Sequence, residues 1–136
     1  MTTPLKIIFV GDACSGKTRA VNRLLKRDLA GHLPYTATNG VRVYKCNNIN
    51  NTMIDIWDCG GKDSYQDNYF IDADICVLFG YNTYNWAREV KKVTGDIIFY
   101  QYHNQLELQN FINSINNLGP SEHITTNEQT VINIFS

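Results

Sequence analysis

The order of elements read from the sequence predicts an α/β domain on a mostly parallel sheet of six strands. Three observations carry this. Short apolar runs at Leu5–Val10, Ile75–Phe79 and Ile97–Tyr102 alternate with stretches of helical periodicity, the pattern of strands joined by crossover helices. The run Ile75-Cys76-Val77-Leu78-Phe79 is apolar throughout, as in a strand buried on both faces. The first run passes directly into Gly11-Asp12-Ala13-Cys14-Ser15-Gly16-Lys17-Thr18 and then into a helix.

After the Leu5–Val10 strand, Ala20, Val21, Leu24, Leu25 and Leu29 share one helical face, with Arg19, Arg23, Lys26 and Arg27 mostly elsewhere and Gly31 as the stop. Leu33 to Gly40 has turn and loop character. Val41 to Cys46 alternates as a strand, Asn47 to Asn51 is a polar turn, and Thr52 to Asp58 returns, so the second and third strands form an antiparallel hairpin. The fourth strand lies within Asp72 to Gly80. Trp86 to Thr94 reads as a short helix stopped by Gly95, and Ile97 to Tyr102 as the fifth strand. Leu108, Phe111, Ile112, Ile115 and Leu118 keep amphipathic helical spacing up to Gly119-Pro120, and Thr130 to Phe135 is the sixth strand. No repeat or linker divides the chain, so residues 1–136 are read as a single domain.

A net charge of −1 gives no reason to expect nucleic acid or a membrane surface as partner. No apolar run nears the ~20 residues of a membrane helix, and Met1-Thr2-Thr3-Pro4 is no secretory signal. Thr2 rules out myristoylation, and Ile134-Phe135-Ser136 offers no prenylation cysteine, so no membrane anchor is expected. Cys14, Cys46, Cys59 and Cys76 lack Cys-x-x-Cys spacing and are read as reduced thiols of a cytosolic or nuclear protein. His32, His103 and His123 are too scattered for a zinc cluster. Sixteen asparagines fit an AT-rich coding sequence of the kind some large DNA viruses and parasites have.

The segment from Gly11 to Thr18 fits the phosphate-loop pattern Gly-x-x-x-x-Gly-Lys-Ser/Thr. Glycines let the backbone wrap an anion, successive amides point inward, and the helix N-terminus adds a favourable dipole. Gly11, Asp12, Ala13, Cys14, Ser15 and Gly16 form the candidate cradle. Lys17 would bridge the β- and γ-phosphates, and the Thr18 hydroxyl would bind Mg²⁺. Further on, Asp58-Cys59-Gly60-Gly61 is an Asp-x-x-Gly at the end of an apolar strand. In phosphate-loop enzymes the aspartate there holds Mg²⁺ and the last glycine amide meets the γ-phosphate, which assigns Asp58 and Gly61.

With both motifs in place, the chain resembles the small GTPases of the Ras superfamily, most closely the Ran branch. Tyr35-Thr36-Ala37-Thr38-Asn39-Gly40-Val41-Arg42-Val43 is similar to its first switch, and Trp57-Asp58-Cys59-Gly60-Gly61-Lys62-Asp63 to its second. Tyr69-Phe70-Ile71-Asp72-Ala73-Asp74 and Asn85-Trp86-Ala87-Arg88-Glu89-Val90 continue the likeness, which spans about Lys6 to Ile98. The resemblance implies a P-loop NTPase fold and a GTP/GDP switch using Mg²⁺. Protein effectors, such as transport receptors, would read switch I (35–43) and switch II (58–72). It also implies a cytoplasmic or nuclear location, in a host cell if the source is viral. Thr38 matches the switch threonine on Mg²⁺ and the γ-phosphate, and Thr36 is its rival. Asn104-Gln105-Leu106-Glu107 stands where the family reads guanine, with Glu107 in the place of the family's aspartate.

Four departures narrow that expectation. Lys62 occupies the position of the catalytic glutamine, and an ammonium has three donors and no acceptor with which to orient water. Ala13 replaces a glycine and crowds the space an arginine finger would use, a contribution of roughly 10³–10⁵ in rate. Both predict slow hydrolysis. Asn104, Gln105 and Glu107 are a degraded base motif, which leaves guanine selectivity to the resemblance. The chain stops after the sixth strand, so the closing C-terminal helix is expected to be missing. Val131, Ile132, Ile134 and Phe135 would then be partly open and covered by a second copy or another partner.

Two other readings stand beside this one. A pseudo-GTPase would keep the fold as an interaction module with weak or no nucleotide selectivity. A P-loop nucleoside kinase would need late lid arginines, and none follows Arg88. Trp57 and Trp86 are read as packing or partner-surface residues rather than base stackers, and Cys14 as a tolerated small residue. Tyr65, Tyr69 and Phe70 are expected at a partner surface, with core packing the alternative for Phe70.

Overall fold

The computed structural model describes residues 3–12, 15–27, 36–38, 41–59 and 67–115, with 27, 36–38 and 67 given by backbone alone. Among them, six strands make one mixed sheet: β1 (Leu5–Gly11), β2 (Thr36–Thr38), β3 (Val41–Asn47), β4 (Met53–Asp58), β5 (Ile75–Phe79) and β6 (Ile98–Gln101). Their spatial order is β2-β3-β4-β1-β5-β6. β4, β1, β5 and β6 run parallel, while β3 is antiparallel to both β4 and β2. The helices are α1 (Lys17–Arg27), α2 (Thr83–Thr94) and α3 (Gln105–Ser114), and a single 3-10 turn spans Asp67–Phe70.

Side-chain alternation along the central strands divides the core in two. Ile7, Phe9, Val77 and Phe79 join Val21 and Leu24 of α1 and Leu108, Phe111 and Ile112 of α3 on one face. Ile8, Val10, Cys76 and Leu78 join Trp86, Ala87 and Val90 of α2 and Phe70 of the 3-10 turn on the other. Every residue of β5 is fully buried, as its unbroken apolar run predicts. Each such large side chain contributes about 1.5–3 kcal/mol. Both faces of the described central strands are therefore covered. Residues 130–135, read from the sequence as a strand with an open face, lie outside the described residues.

Several expectations shift. The segment read as loop between Leu33 and Gly40 contains a strand: Thr36, Ala37 and Thr38 pair with Val43, Arg42 and Val41. The overlooked signal is Asn39-Gly40 between the two runs, the dipeptide that two-residue hairpins favour. The described sheet thus reaches six strands through β2 rather than through residues 130–135. α2 begins at Thr83, ahead of Trp86, and closes where the Gly95 N–H donates to the Lys91 carbonyl at 2.8 Å. Tyr69 and Phe70 are core residues, at 5% and 0% exposure, not a partner surface. Trp57, half-buried, lies under the Lys6 ammonium, 3.7 Å from its ring centroid.

The polar turn between β3 and β4 does more than reverse the chain. Asn48 is buried, and its Nδ2 donates to the carbonyls of Ile112 (2.9 Å) and Ile115 (2.7 Å). Its Oδ1 accepts from the N–H groups of Asn50 (2.9 Å) and Thr52 (3.0 Å). Asn50 Nδ2 donates to the Asn113 carbonyl at 2.9 Å. These amides satisfy carbonyls that a helix C-terminus leaves without partners. α3 accordingly leaves helical geometry at Ile115 (ψ 136°) rather than running on towards Leu118, which lies outside the described residues.

Candidate functional site

The four parallel strands end at one edge of the sheet, where open α/β domains bind ligands. β1 delivers Gly11 there, β4 delivers Asp58, and Asn104 follows β6. The two described glycines of the loop have different tasks. A Cβ on Gly11 would lie 2.5 Å from the Phe79 carbonyl oxygen and 3.0 Å from Ser15 Oγ, so β1 and β5 approach too closely for any side chain. Gly16 has φ +99°, a conformation that costs glycine little, and its missing side chain would face open space.

Lys17 opens α1 and folds back over the loop. Its Nζ donates to the carbonyls of Gly11 (2.8 Å) and Asp12 (2.9 Å) and to Ser15 Oγ (3.4 Å), and the residue is only 6% exposed. Beside it, Thr18 Oγ1 donates to Asp58 Oδ2 at 2.6 Å. Asp58 is buried at the end of β4, opposite Arg42 of β3. Burial raises the pKa of its carboxyl; the Thr18 hydrogen bond and the nearby Lys17 and Arg42 charges act the other way. Asp12 is anchored twice. Its carbonyl accepts from Lys17 and from the Ser15 N–H (3.2 Å), and its carboxylate Oδ1 accepts from Trp86 Nε1 (2.9 Å). Asp12 also borders a groove of about 350 Å³ lined by Asn82, Asn85, Trp86 and Arg88 of the α2 side.

Thus the fold brings Gly11, Asp12, Ser15, Gly16, Lys17, Thr18 and Asp58 together. Thr38 ends β2 opposite Val41, with Thr36 at the other end of that strand. Ala13, Cys14, Gly61 and Lys62 lie outside the described residues. Asn104, Gln105 and Glu107 form the start of α3. Asn104 caps the helix by accepting from the Glu107 N–H at 2.9 Å. Gln105 Nε2 donates to the Ala20 carbonyl of α1 at 3.1 Å, and its Oε1 accepts from the Tyr102 hydroxyl at 3.4 Å. Sequence reasoning missed Arg42 and the bond from Trp86. The first follows from hairpin register, whereas the second joins residues 74 apart and leaves no local signal.

The donor set fits a hard divalent cation. A hydroxyl and a carboxylate, both oxygen ligands, stand in contact, and the carboxylate is buried where a cation would stabilise its charge. Among the described residues there is no group of three or more His, Cys, Asp or Glu that could hold a metal ion by itself. None of the described helices is long and apolar enough to cross a membrane.

The strand–glycine loop–helix unit, together with the sheet order, defines an α/β domain of P-loop NTPase-like architecture. The family model of Roc, the Ras of Complex domain of DAPkinase, matches residues 6–125. The chain belongs to this family, a Ras-superfamily-like small GTPase domain. It is also 27% identical over 115 residues to the GTP-binding nuclear protein Ran of Giardia intestinalis, covering 68% of this chain and 50% of that protein. The chain spans about half the length of that relative. The similarity to Ran is partial and does not single out the Ran branch.

Proposed function

We propose that this domain binds GTP and GDP with Mg²⁺ and acts as a switch that hydrolyses GTP slowly. The observation that carries the reading is the Thr18–Asp58 contact beside Lys17 at the mouth of the loop. In it a hydroxyl, a buried carboxylate and a lysine ammonium converge where phosphates and a cation would meet. Thr18 and Asp58 would hold Mg²⁺, with Thr38 as the switch ligand, and the ion would neutralise charge on the phosphate oxygens. The Lys17 ammonium, aimed by the Gly11 and Asp12 carbonyls, would turn its third donor from the longer Ser15 Oγ contact to phosphate oxygens and supply a charge-assisted contact. Ala13 and Lys62 support slow turnover on chemical grounds: one narrows the space for a catalytic arginine, and the other lacks the acceptor that orients water.

Guanine is the proposed base because the chain belongs to a GTPase-like family and its partial relative is named as GTP-binding. Effectors would read the switch segments at 35–43 and 58–72, and nucleocytoplasmic transport is the proposed setting. A second reading has a specific observation in its favour. Gln105 and Asn104 make hydrogen bonds within the fold, so an interaction module with weak base selectivity accounts for the same residues.

The experiment is direct. The protein is purified, bound nucleotide is released and identified, and GTP, GDP, ATP and GMP are titrated with and without Mg²⁺. Mg²⁺-dependent, guanine-selective binding that Lys17→Ala abolishes is expected. Equal affinity for ATP and GTP supports the second reading, and the absence of any nucleotide binding overturns the first.

A further inference from the structure

We infer that Trp86 is a positioning residue for the phosphate loop: its indole N–H fixes the Asp12 carboxylate, and Asp12 in turn fixes the Lys17 ammonium. The geometry forms a continuous path. Trp86 is 5% exposed and belongs to the same core cluster as Val10, Phe70 and Leu78, so the ring is packed between α2, the sheet and the 3-10 turn, with one edge on the groove beside Asp12. From that fixed position Nε1 donates to Asp12 Oδ1 at 2.9 Å. Asp12 is the first loop residue after β1, and its carbonyl accepts from Lys17 Nζ at 2.9 Å and from the Ser15 N–H at 3.2 Å.

A half-buried aspartate on a glycine-flanked loop has many available rotamers, and a charge-assisted hydrogen bond from a rigid donor selects one. Holding the side chain of Asp12 restrains the position of its Cα, and the same residue carries the carbonyl oxygen that aims Lys17. Neither loop motif accounts for this bond, which comes from a helix 74 residues away. The inference rests on the proposed phosphate binding for its functional meaning, but its geometric content concerns Lys17 alone.

The test uses the full chain. Trp86→Phe keeps most of the ring volume and removes the donor. Asp12→Ala removes the acceptor without opening the core, and so guards against a variant that fails to fold. Without nucleotide, each is expected to speed acylation of the Lys17 amine by an amine-reactive ester about tenfold relative to Lys92 in the same sample. The double variant is expected to react no faster than the quicker single one, because the two residues act as a unit. A merely structural indole would instead give independent effects and loosen every lysine. Unchanged Lys17 rates in both single variants, or effects that multiply, overturn the inference.

Titration of Mg²⁺–GDP with the same proteins separates the two claims. Wild type that binds, with both variants about tenfold weaker and not multiplicatively so, supports the positioning role. Wild type that binds while both variants bind equally well overturns it. Wild type that binds no nucleotide overturns the guanine-nucleotide proposal, and the Lys17 rates alone then decide this one.

Discussion

The Thr18 hydroxyl donates to the Asp58 carboxylate at 2.6 Å, joining the first turn of α1 to the end of β4 across 40 residues of sequence. Burial disfavours the charged form of Asp58, and the hydroxyl, Lys17 and Arg42 offset only part of that cost.

The pH dependence follows. The native state holds the Asp58 proton more tightly than the unfolded chain, whose carboxyl titrates near 3.8. That contribution to stability is present in acid and is lost as pH rises through the folded value. Asp58→Asn is therefore expected to raise the melting temperature of the nucleotide-free domain at pH 7, with the gain shrinking towards pH 4. The same change should abolish the Mg²⁺-dependent gain in nucleotide affinity. Identical melting curves at pH 7 would count against the burial argument.

Gly11→Ala tests the close approach of β1 and β5. The added methyl meets a backbone carbonyl at 2.5 Å, which cannot rotate away. A loss of about 1–3 kcal/mol in urea unfolding is expected, the usual cost of overpacking.

Asn48→Ala removes one side chain that serves four backbone groups. Stranding buried carbonyls and amides costs roughly 1–3 kcal/mol or more, and the urea midpoint should fall accordingly. Amide exchange should quicken at the C-terminal turn of α3 while β1 and β5 stay protected. Uniform exchange across the domain would refute a local role.

The three described cysteines are buried thiols. Burial, assisted by the Asp58 charge, pushes Cys59 up to about 12, and burial with Asp55 does the same to Cys46. Maleimide at pH 7.5 should leave Cys46, Cys59 and Cys76 unmodified in the native protein and label all three in urea. Between about pH 9, where an unfolded thiol ionises, and about 12, the native state keeps protons the unfolded chain has released. Stability should therefore decline as pH climbs through that window. A flat alkaline profile would contradict it.

What could be read in advance depended on local period and on motif. β1, β5, the β3–β4 hairpin and the buried faces of α1 and α3 each leave a periodic trace, and the Gly11–Thr18 loop is a contiguous string. β2 escaped because three residues are too few for alternation to register. The end of α3 escaped because Asn48 sets it from across the domain, and Leu118 continued the spacing regardless. At the site, Lys17, Thr18 and Asp58 were legible as motif members. The Trp86–Asp12 bond was not, since a tryptophan at a buried helical position looks the same whether or not its N–H has a task. The Asn104–Glu107 stretch could be located but not interpreted, because a helix cap and a base reader draw on the same residue types.

The asparagine turn between β3 and β4 also has a consequence for the order in which the domain assembles. Asn48 meets Ile112 across 64 residues, a span that includes β4, β5, α2 and β6. Bringing such distant segments together is entropically costly unless the intervening sheet has already gathered them. The hairpin leaves the ribosome well before α3, so its turn becomes native late, in the same step that finishes the helix. That closure is expected to belong to the low-φ part of the folding transition, where a substitution such as Asn48→Ala hastens unfolding more than it slows folding.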